Sequence, residues 1–561
     1  MTPAPSRFAA FHDRRFAWIA LALALLRVWF VSALPVIGLA GSEHDDQLFL
    51  QLGDSIARGE WLGDYSRFTL MKGCGYPLLI AAAFKLGVPL PLAEQGLYLL
   101  GCWLLVRALR PLLRHDAWSL ALFALLVWQP MGFWVDPHGG NILRQNLYTP
   151  LTLLVFASLI ALHTRRDAPP LIRLGWAALL GLSFAWLWLT REESIWIIPS
   201  LALLLVSVLS SWLRDRTRWR SLLAPLACAS LTTAVPLLTV CTLNQKHYGL
   251  FGTVEFRAPA FVSAYAALGR VRSSSPLERV PLPRDARLLI YDVSPTFARL
   301  RPHLEGDLGI RWSSPELQFN GGMWVWALRE SVQLVVNPRN AREALAFYQQ
   351  LANEVNAACD AGLLPAAPRR DTFLPPWTPV HTAILRREGS AYFQHFIRFE
   401  GFNARPPRSH GDAEGLKLFR DLTRWHLAFA PDVPEIDTPR QRHARAWRIG
   451  ALQDIGRVLR WPCVALVWLG AVAWISAALR SVVRHRAPHY LWWLATAALG
   501  GALAVFTISL LVHVTSWGDW RPLRFIQAYP LLLLFGFAAV AALFLSNTSD
   551  QPPPPANAPR P

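Results

Sequence analysis

Residues 14–46 read RRFAWIALALALLRVWFVSALPVIGLAGSEHDD: a basic pair, a long apolar run, then three carboxylates at Glu43, Asp45 and Asp46. An apolar run of about 23 to 25 residues has the length of one membrane crossing. Gly38-Leu39-Ala40 resembles a cleavage site, but the apolar stretch of a secretory signal is only roughly 7 to 15 residues long. The run therefore reads as an uncleaved first helix over 16–38. Carboxylates are expensive to take out of water unless paired or used. The acidic cluster placed directly after this helix is where chemistry is expected.

The rest of the chain repeats the pattern. Of 561 residues 53% are hydrophobic and 26 are Trp, and the mean hydropathy is +0.28, which excludes a soluble multidomain protein. Apolar segments at 16–38, 92–113, 117–135, 147–163, 173–190, 194–213, 221–243, 459–480, 488–513 and 524–545 read as ten clean spans. Residues 76–90 are shorter and closed by Gly and Pro, and read as a re-entrant or interfacial helix. Lys and Arg in short loops stay cytoplasmic. Arg14-Arg15, Arg107/Arg110/Arg114, Arg165-Arg166/Arg173, Arg214/Arg216/Arg218/Arg220 and Arg480/Arg484/Arg486 all satisfy that rule with ten spans and both termini inside. Five segments then fall outside: 43–74, 136–146, 191–193, 244–456 and 517–524.

This gives an N-terminal membrane domain 1–243 whose first external loop is 41–75, an external insert 244–456, C-terminal membrane helices 457–546, and a disordered Pro-rich tail 547–561. In the insert, Leu288-Leu289-Ile290-Tyr291-Asp292-Val293 reads as a strand. Residues 340–361 read as a helix with Ala344, Phe347, Leu351, Val355 and Ala358 on one face and Gly362 as its stop. The insert is thus expected to be α+β. The +18 net charge is spread over short loops rather than gathered on one face with aromatics, which argues against nucleic acid. Six scattered cysteines show neither metal spacing nor a disulfide framework.

Each polar group at the outer rim has a functional and a plain reading. In the acidic cluster, one carboxylate can serve as general base while its neighbour holds an Arg, a cation or the acceptor; the plain reading is a solvated helix end. Arg144, with Gln145, Asn146 and Tyr148, follows Asp136-Pro-His-Gly-Gly and either grips a phosphate in bidentate fashion or caps the loop. Arg191-Glu192-Glu193 is either a solvated turn or a source of positive charge for Asp45, Asp46 or a phosphate. Arg521 and Arg524, beside Asp519, break the positive-inside trend and bind either a substrate phosphate or lipid headgroups. Trp186/Trp188, Trp492-Trp493 and Trp517/Trp520 read as interfacial belts. Neither Asn320-Gly321-Gly322 nor Asp136-Pro137-His138-Gly139-Gly140 has the spacing of a nucleotide loop.

One longer pattern adds a family. His44-Asp45-Asp46, Gly59, and Thr69-Leu70-Met71-Lys72-Gly73-Cys74-Gly75-Tyr76-Pro77 together resemble the first external loop of the GT-C superfamily of membrane glycosyltransferases, which includes lipid A aminoarabinose transferases and protein O-mannosyltransferases. The resemblance covers 41–80, loosens to about 200, and returns faintly from Arg521-Pro522-Leu523-Arg524 to Tyr529-Pro530; the insert is not covered. Asp-Asp stands where Asp-Glu is common, and Lys-Gly-Cys-Gly-Tyr-Pro where Lys-Pro is common.

The resemblance implies transfer of a sugar from a polyprenyl-phosphate donor to an acceptor hydroxyl at the outer face, usually with inversion. On that basis Asp45 is the expected base, Asp46 orients the acceptor or a cation, and Lys72 holds the leaving phosphate; the plain reading of Lys72 is a snorkelling lysine. The sequence establishes no cofactor; a divalent cation, if used, would take Asp46 or Glu43 as ligand. The expected setting is a bacterial inner membrane with the insert periplasmic. The expected partners are the lipid-linked donor, membrane lipids and an acceptor the sequence does not name. A transporter or flippase, or a non-catalytic envelope assembly protein, are the rival readings.

Overall fold

A computed structural model describes residues 7–41, 45–113, 115–137, 141–191, 194–213, 219–313, 316–428, 438–485 and 488–548. Glu43, His44, His138-Gly139-Gly140, Glu192-Glu193, Arg114, Arg214, Arg216, Arg218, Arg486 and the Pro-rich tail lie outside the described residues. The first half comprises α1 (Arg7–Val31), α2 (Asp46–Arg58), α3 (Gly75–Lys85), α4 (Leu90–Leu113), α5 (Asp116–Trp128), α6 (Gln145–Thr164), α7 (Pro170–Thr190), α8 (Ile198–Leu213) and α9 (Trp219–Tyr248). Next come α10 (Pro259–Arg270), α11 (Arg284–Val293), α12 (Pro295–Ala298), α13 (Arg301–Leu304), α14 (Asp307–Trp312), α15 (Gly321–Val336), α16 (Ala341–Asp360), α17 (Pro379–Ile397) and α18 (Ala413–Thr423). The chain closes with α19 (Pro439–Val483), α20 (Tyr490–Thr515) and α21 (Tyr529–Thr548).

Each of the ten apolar segments contains a helix, although 117–135 is α-helical only to Trp128, where Pro130 follows, and turns into a short 3-10 segment. Among the described residues six helices are long and apolar enough to cross a membrane (α4, α6, α7, α9, α19 and α20), with shorter apolar helices at Asp116–Trp128, Ser194–Ser210 and Tyr529–Leu545. Their outer faces keep Leu171, Leu231, Trp468 and Val472 exposed, a surface that only lipid satisfies. The chain is an integral membrane protein. α6 lies at the centre of the bundle, with 89% of its apolar window buried against 6% for α9. α3 has 11 residues and so extends about 16 Å, too short to cross a hydrocarbon core of about 30 Å.

Two expectations fail for local reasons. The first helix ends at Val31, not at residue 38, because Pro35 disfavours helical geometry before it and has no N–H to donate. Residues 36–40 run extended instead and pair with the chain leading out of the insert: Val36 N donates to His426 O at 2.9 Å and His410 N to Gly38 O at 2.9 Å. The acidic pair therefore opens α2 rather than closing α1. Residues 288–293 are helical, part of α11, with Ala286, Arg287, Ile290 and Tyr291 buried while Leu288 and Leu289 face out. A continuous apolar run hid this helical period, and among the described residues the insert is helical with isolated bridges only. By contrast α16 buries Ala344, Phe347, Leu351, Val355 and Ala358, and the Asn340 side chain caps its start.

The insert holds the first loop through charge as well as apolar contact. Met71 packs into the core of α10, α15 and α16. Arg329 of α15 is buried against Glu255, and its guanidinium also donates to Thr69 O at 2.9 Å. Arg67 pairs with Glu330 at 2.8 Å. At the far end of the bundle, Arg110 pairs with Asp116 at 2.7 Å, Arg165 donates to Ala108 O at 3.1 Å, and Arg173 lies 5.3 Å from the Trp212 ring. One end of the bundle thus carries several arginines, two of them paired with Asp116 and Asp167, and the other end holds the acidic pair with its cations.

Candidate functional site

Asp46 is the first residue of α2 and Asp45 stands immediately before it, where the partial positive charge of a helix N-terminus favours carboxylates. α2 buries Leu48, Phe49 and Leu52 and stops at Gly59, whose φ of +86° is the left-handed turn that glycine tolerates best. This accounts for the glycine of the motif.

Lys72 reaches Asp45 because its loop lies directly on the end of α7. A Cβ at Gly73 would sit 2.1 Å from Leu189 O, and one at Gly75 would sit 2.4 Å from Thr190 Oγ1; only glycine allows the approach. Trp186 Nε1 donates to Gly75 O at 2.8 Å and locks it. The Lys72 ammonium forms an ion pair with Asp45, the lysine being 8% exposed and the aspartate 49%. It also lies 4.9 Å from the Phe49 ring and 5.8 Å from Trp326 of the insert. Arg144 sits 5.8 Å from that same Phe49 ring, and Arg191 sits 5.5 Å from the Tyr148 ring. Tyr148 is fixed by Trp196, which donates to its hydroxyl at 2.6 Å, and by Ser194 at 3.1 Å.

Asp46 is buried and accepts from Ile142 N at 3.1 Å. Burial, then the charge of Asp45, push its pKa well above the usual carboxylate range, against smaller opposing effects of the Ile142 bond and Lys72. Asp136, also buried, adds to the rise. Arg521 bridges Asp136 at 2.9 Å and Asp519 at 2.9 Å, and Arg524 donates to Asp519 at 3.0 Å. Burial works against the charge of Asp519, but hydrogen bonds from Arg521 and the charges of Arg524 and Arg521 hold its pKa below the ordinary value.

The structure therefore brings together Asp45, Asp46, Lys72, Arg144, Tyr148 and Arg191 from four separate segments. Arg521 joins them only through Asp136, and Arg524 is turned to Asp519; neither contacts the acidic pair in the described residues. Glu43 lies outside them. Among the described residues no cluster of three or more His, Cys, Asp or Glu is arranged for a metal. Asp45 faces Lys72, and Asp46 accepts from the Ile142 N–H.

Several neighbours were not foreseen. Phe49 organises both Lys72 and Arg144, and only its place on the buried face of α2 could have signalled it. Arg27 and Glu94 correct the reading of clean spans: both are buried inside apolar helices, where an ionisable residue is itself a functional signal. Trp186 and Trp520 also have partners within the protein. Trp186 bonds the Lys72 loop, and Trp520 packs on Tyr392 and His513.

No protein-family model matches the chain, and no curated protein matches it. Among solved structures it is similar to ArnT from Cupriavidus metallidurans. The apo state of that protein matches at 14% identity over 95% of this chain and 78% of that one, with a TM-score of 0.31. Its undecaprenyl phosphate-bound state matches at 12% identity over 97% and 78%, with a TM-score of 0.29.

Proposed function

We propose that the chain is a GT-C-like glycosyltransferase that moves a sugar from a polyprenyl-phosphate donor to an acceptor hydroxyl at the outer membrane surface. The observation that carries this reading is the Asp45–Lys72 ion pair beside Phe49 and Arg144. It sets a carboxylate next to a small group of cations at the end of the bundle opposite the basic loops. In the step proposed, the acceptor oxygen attacks the anomeric carbon while the bond from that carbon to the phosphate oxygen breaks. The acceptor proton passes to Asp45, and polyprenyl phosphate leaves with the bonding electron pair. Lys72, Arg144 and Arg191 meet the charge that develops on it, and attack from the opposite face inverts the centre. Asp46, buried beside the base and held by Ile142 N, orients the acceptor. Arg521, through Asp136, and Arg524 shape the rim.

The same reading takes the ten apolar segments as spans, with the termini cytoplasmic and 244–456 periplasmic in a bacterial inner membrane. A transporter or flippase is the second reading, favoured by one observation: Arg27 and Glu94 lie inside the bundle.

Asp45→Asn separates the two. Membranes holding the chain are supplied with labelled polyprenyl-phosphate sugar and scored for label lost from the lipid pool to product. An enzyme loses transfer while insertion and folding persist, whereas a carrier or an assembly scaffold is indifferent to the change. Labelling that reached Asp45 only from the cytoplasm would end the proposal.

A further inference from the structure

The seam between α1 and α4 carries two features that the proposed transfer step does not use. Toward the acidic pair lies a cavity of about 120 Å³ whose lining includes Arg27, Glu94, Gln129, Asn141, Asn146 and Thr149. It is somewhat smaller than the roughly 150 Å³ cavity that admits a benzene ring, so a single ring is the most it takes, and only as the polar walls part around it. Ile142, whose N–H holds Asp46, is part of its wall.

Gln129 and Thr149 are 2% and 5% exposed, and neither Gln129 Oε1 nor Thr149 Oγ1 has a hydrogen-bond partner. Glu94 takes hydrogen bonds from Tyr76 at 2.5 Å and Asn146 at 3.1 Å and makes no ion pair among the described residues. Arg27 donates to Gln95 Oε1 and Gly132 O, both at 2.9 Å, and to Val127 O. What is left over is an amide oxygen that needs a donor and a hydroxyl that can give or take a hydrogen bond, and such buried groups without partners are costly. A group bearing several hydroxyls supplies what is missing.

One turn further along both helices the lining changes character. Ala17, Ala20 and Ala24 of α1 face Leu99 and Trp103 of α4 across an apolar groove of about 430 Å³. Leu21 and Leu100 at its edge are exposed, so the groove opens sideways to the membrane. Arg27 follows Ala24 by one turn and Gln95 precedes Leu99 by one turn, so the cavity and the groove lie end to end.

We propose that this seam binds a lipid-anchored alcohol, its hydroxyl-bearing ring in the cavity and its chain in the groove. On the glycosyl-transfer reading, this ligand is the acceptor, delivered laterally to the side of Asp46.

The test uses the full chain in nanodiscs and a photoreactive dodecyl glucoside. Crosslinks are expected on 17–31 and 91–103, and to be competed by dodecyl glucoside but not by glucose, by dodecylphosphocholine or by polyprenyl phosphate. Ala24→Phe in the groove, and Thr149→Val with Gln129→Met in the cavity, should each cut labelling at least tenfold with the unfolding midpoint retained. Should Ala24→Phe unfold the chain, Ala20→Val tests the same groove with a smaller intrusion. Equal competition by dodecylphosphocholine would mean ordinary boundary lipid, and competition by polyprenyl phosphate would mean a donor site; either overturns the proposal. So does a high-resolution map with ordered water bonded to Gln129 and Thr149 while dodecyl glucoside is present. Labelling is read without any sugar donor present, so a failed transfer reading and a failed binding site remain distinguishable.

Discussion

Removing the negative charge of Glu255 by Glu255→Gln should unfasten the first loop from the insert. Glu255 and Arg329 are 0% and 3% exposed, so solvent offers the stranded guanidinium nothing. Arg329 Nη2 donates to Glu255 Oε2 at 3.0 Å and to Thr69 O at 2.9 Å, and Tyr65 gives its hydroxyl proton to the same carboxylate at 2.7 Å. Breaking a buried pair from one side costs about 3–5 kcal/mol. For a transition confined to the roughly 200-residue insert, that corresponds to a fall of roughly 6–20 °C in its midpoint, at about 2–4 °C per kcal/mol. The double variant Glu255→Gln/Arg329→Met removes both charges and should recover part of the loss, since no unpaired charge then stays buried. Differential scanning calorimetry of the purified chain in detergent reads both variants. Because Thr69 stands three residues before Lys72 and Arg329 holds its carbonyl, sugar transfer should fall with the single variant and stay low with the double, which lacks that donor. A single variant as stable as the unaltered chain, or a double variant worse than the single, would refute the reasoning.

Four further outcomes follow from the site. Asp46 has a folded pKa above its unfolded value, so its protonated form favours the fold at low pH and that contribution is lost as pH rises above about 4. Asp46→Asn should therefore unfold later than the unaltered chain at pH 8 and no later at pH 4; thermal melts at the two values decide it. Asp519 has the opposite sign: its folded pKa is lowered, so its contribution is present above about pH 4 and lost as pH falls through the folded value. Asp519→Asn should flatten the acid limb of the stability profile measured from pH 6 to pH 3. Gly73→Ala forces a Cβ to within 2.1 Å of Leu189 O, an overpacking cost of about 1–3 kcal/mol. With Lys72 displaced by about 1 Å, transfer should fall on the order of 100-fold; Gly450→Ala, which meets nothing within 4 Å, is the control. Lys72→Met should lower turnover by about 100- to 1000-fold with membrane insertion unchanged, read by the same labelled-donor assay.

The membrane class, the positions of the helices, the glycines of the first loop and the segments that hold the acidic pair, Lys72, Arg144 and Arg191 were legible in the chain, because length, apolarity and loop charge are local quantities. The Asn340-capped helix was legible for the same reason: its apolar period and cap lie within one stretch. Residues 288–293 were not, since an apolar run does not say which of its members face inward until a neighbour packs on them. Pro35 stops α1 locally, but only the tertiary structure decided that the residues after it pair with a segment some 370 to 390 positions later, that Phe49 gathers two cations, and that Arg521 meets Asp136 rather than the acidic pair. Only the tertiary structure likewise buries Arg27 and Glu94 beside one cavity. The physical reason is the range of the forces: hydrophobic period and helix capping act over one or two turns, whereas the pairing of buried charges is settled by which helices the bundle sets side by side.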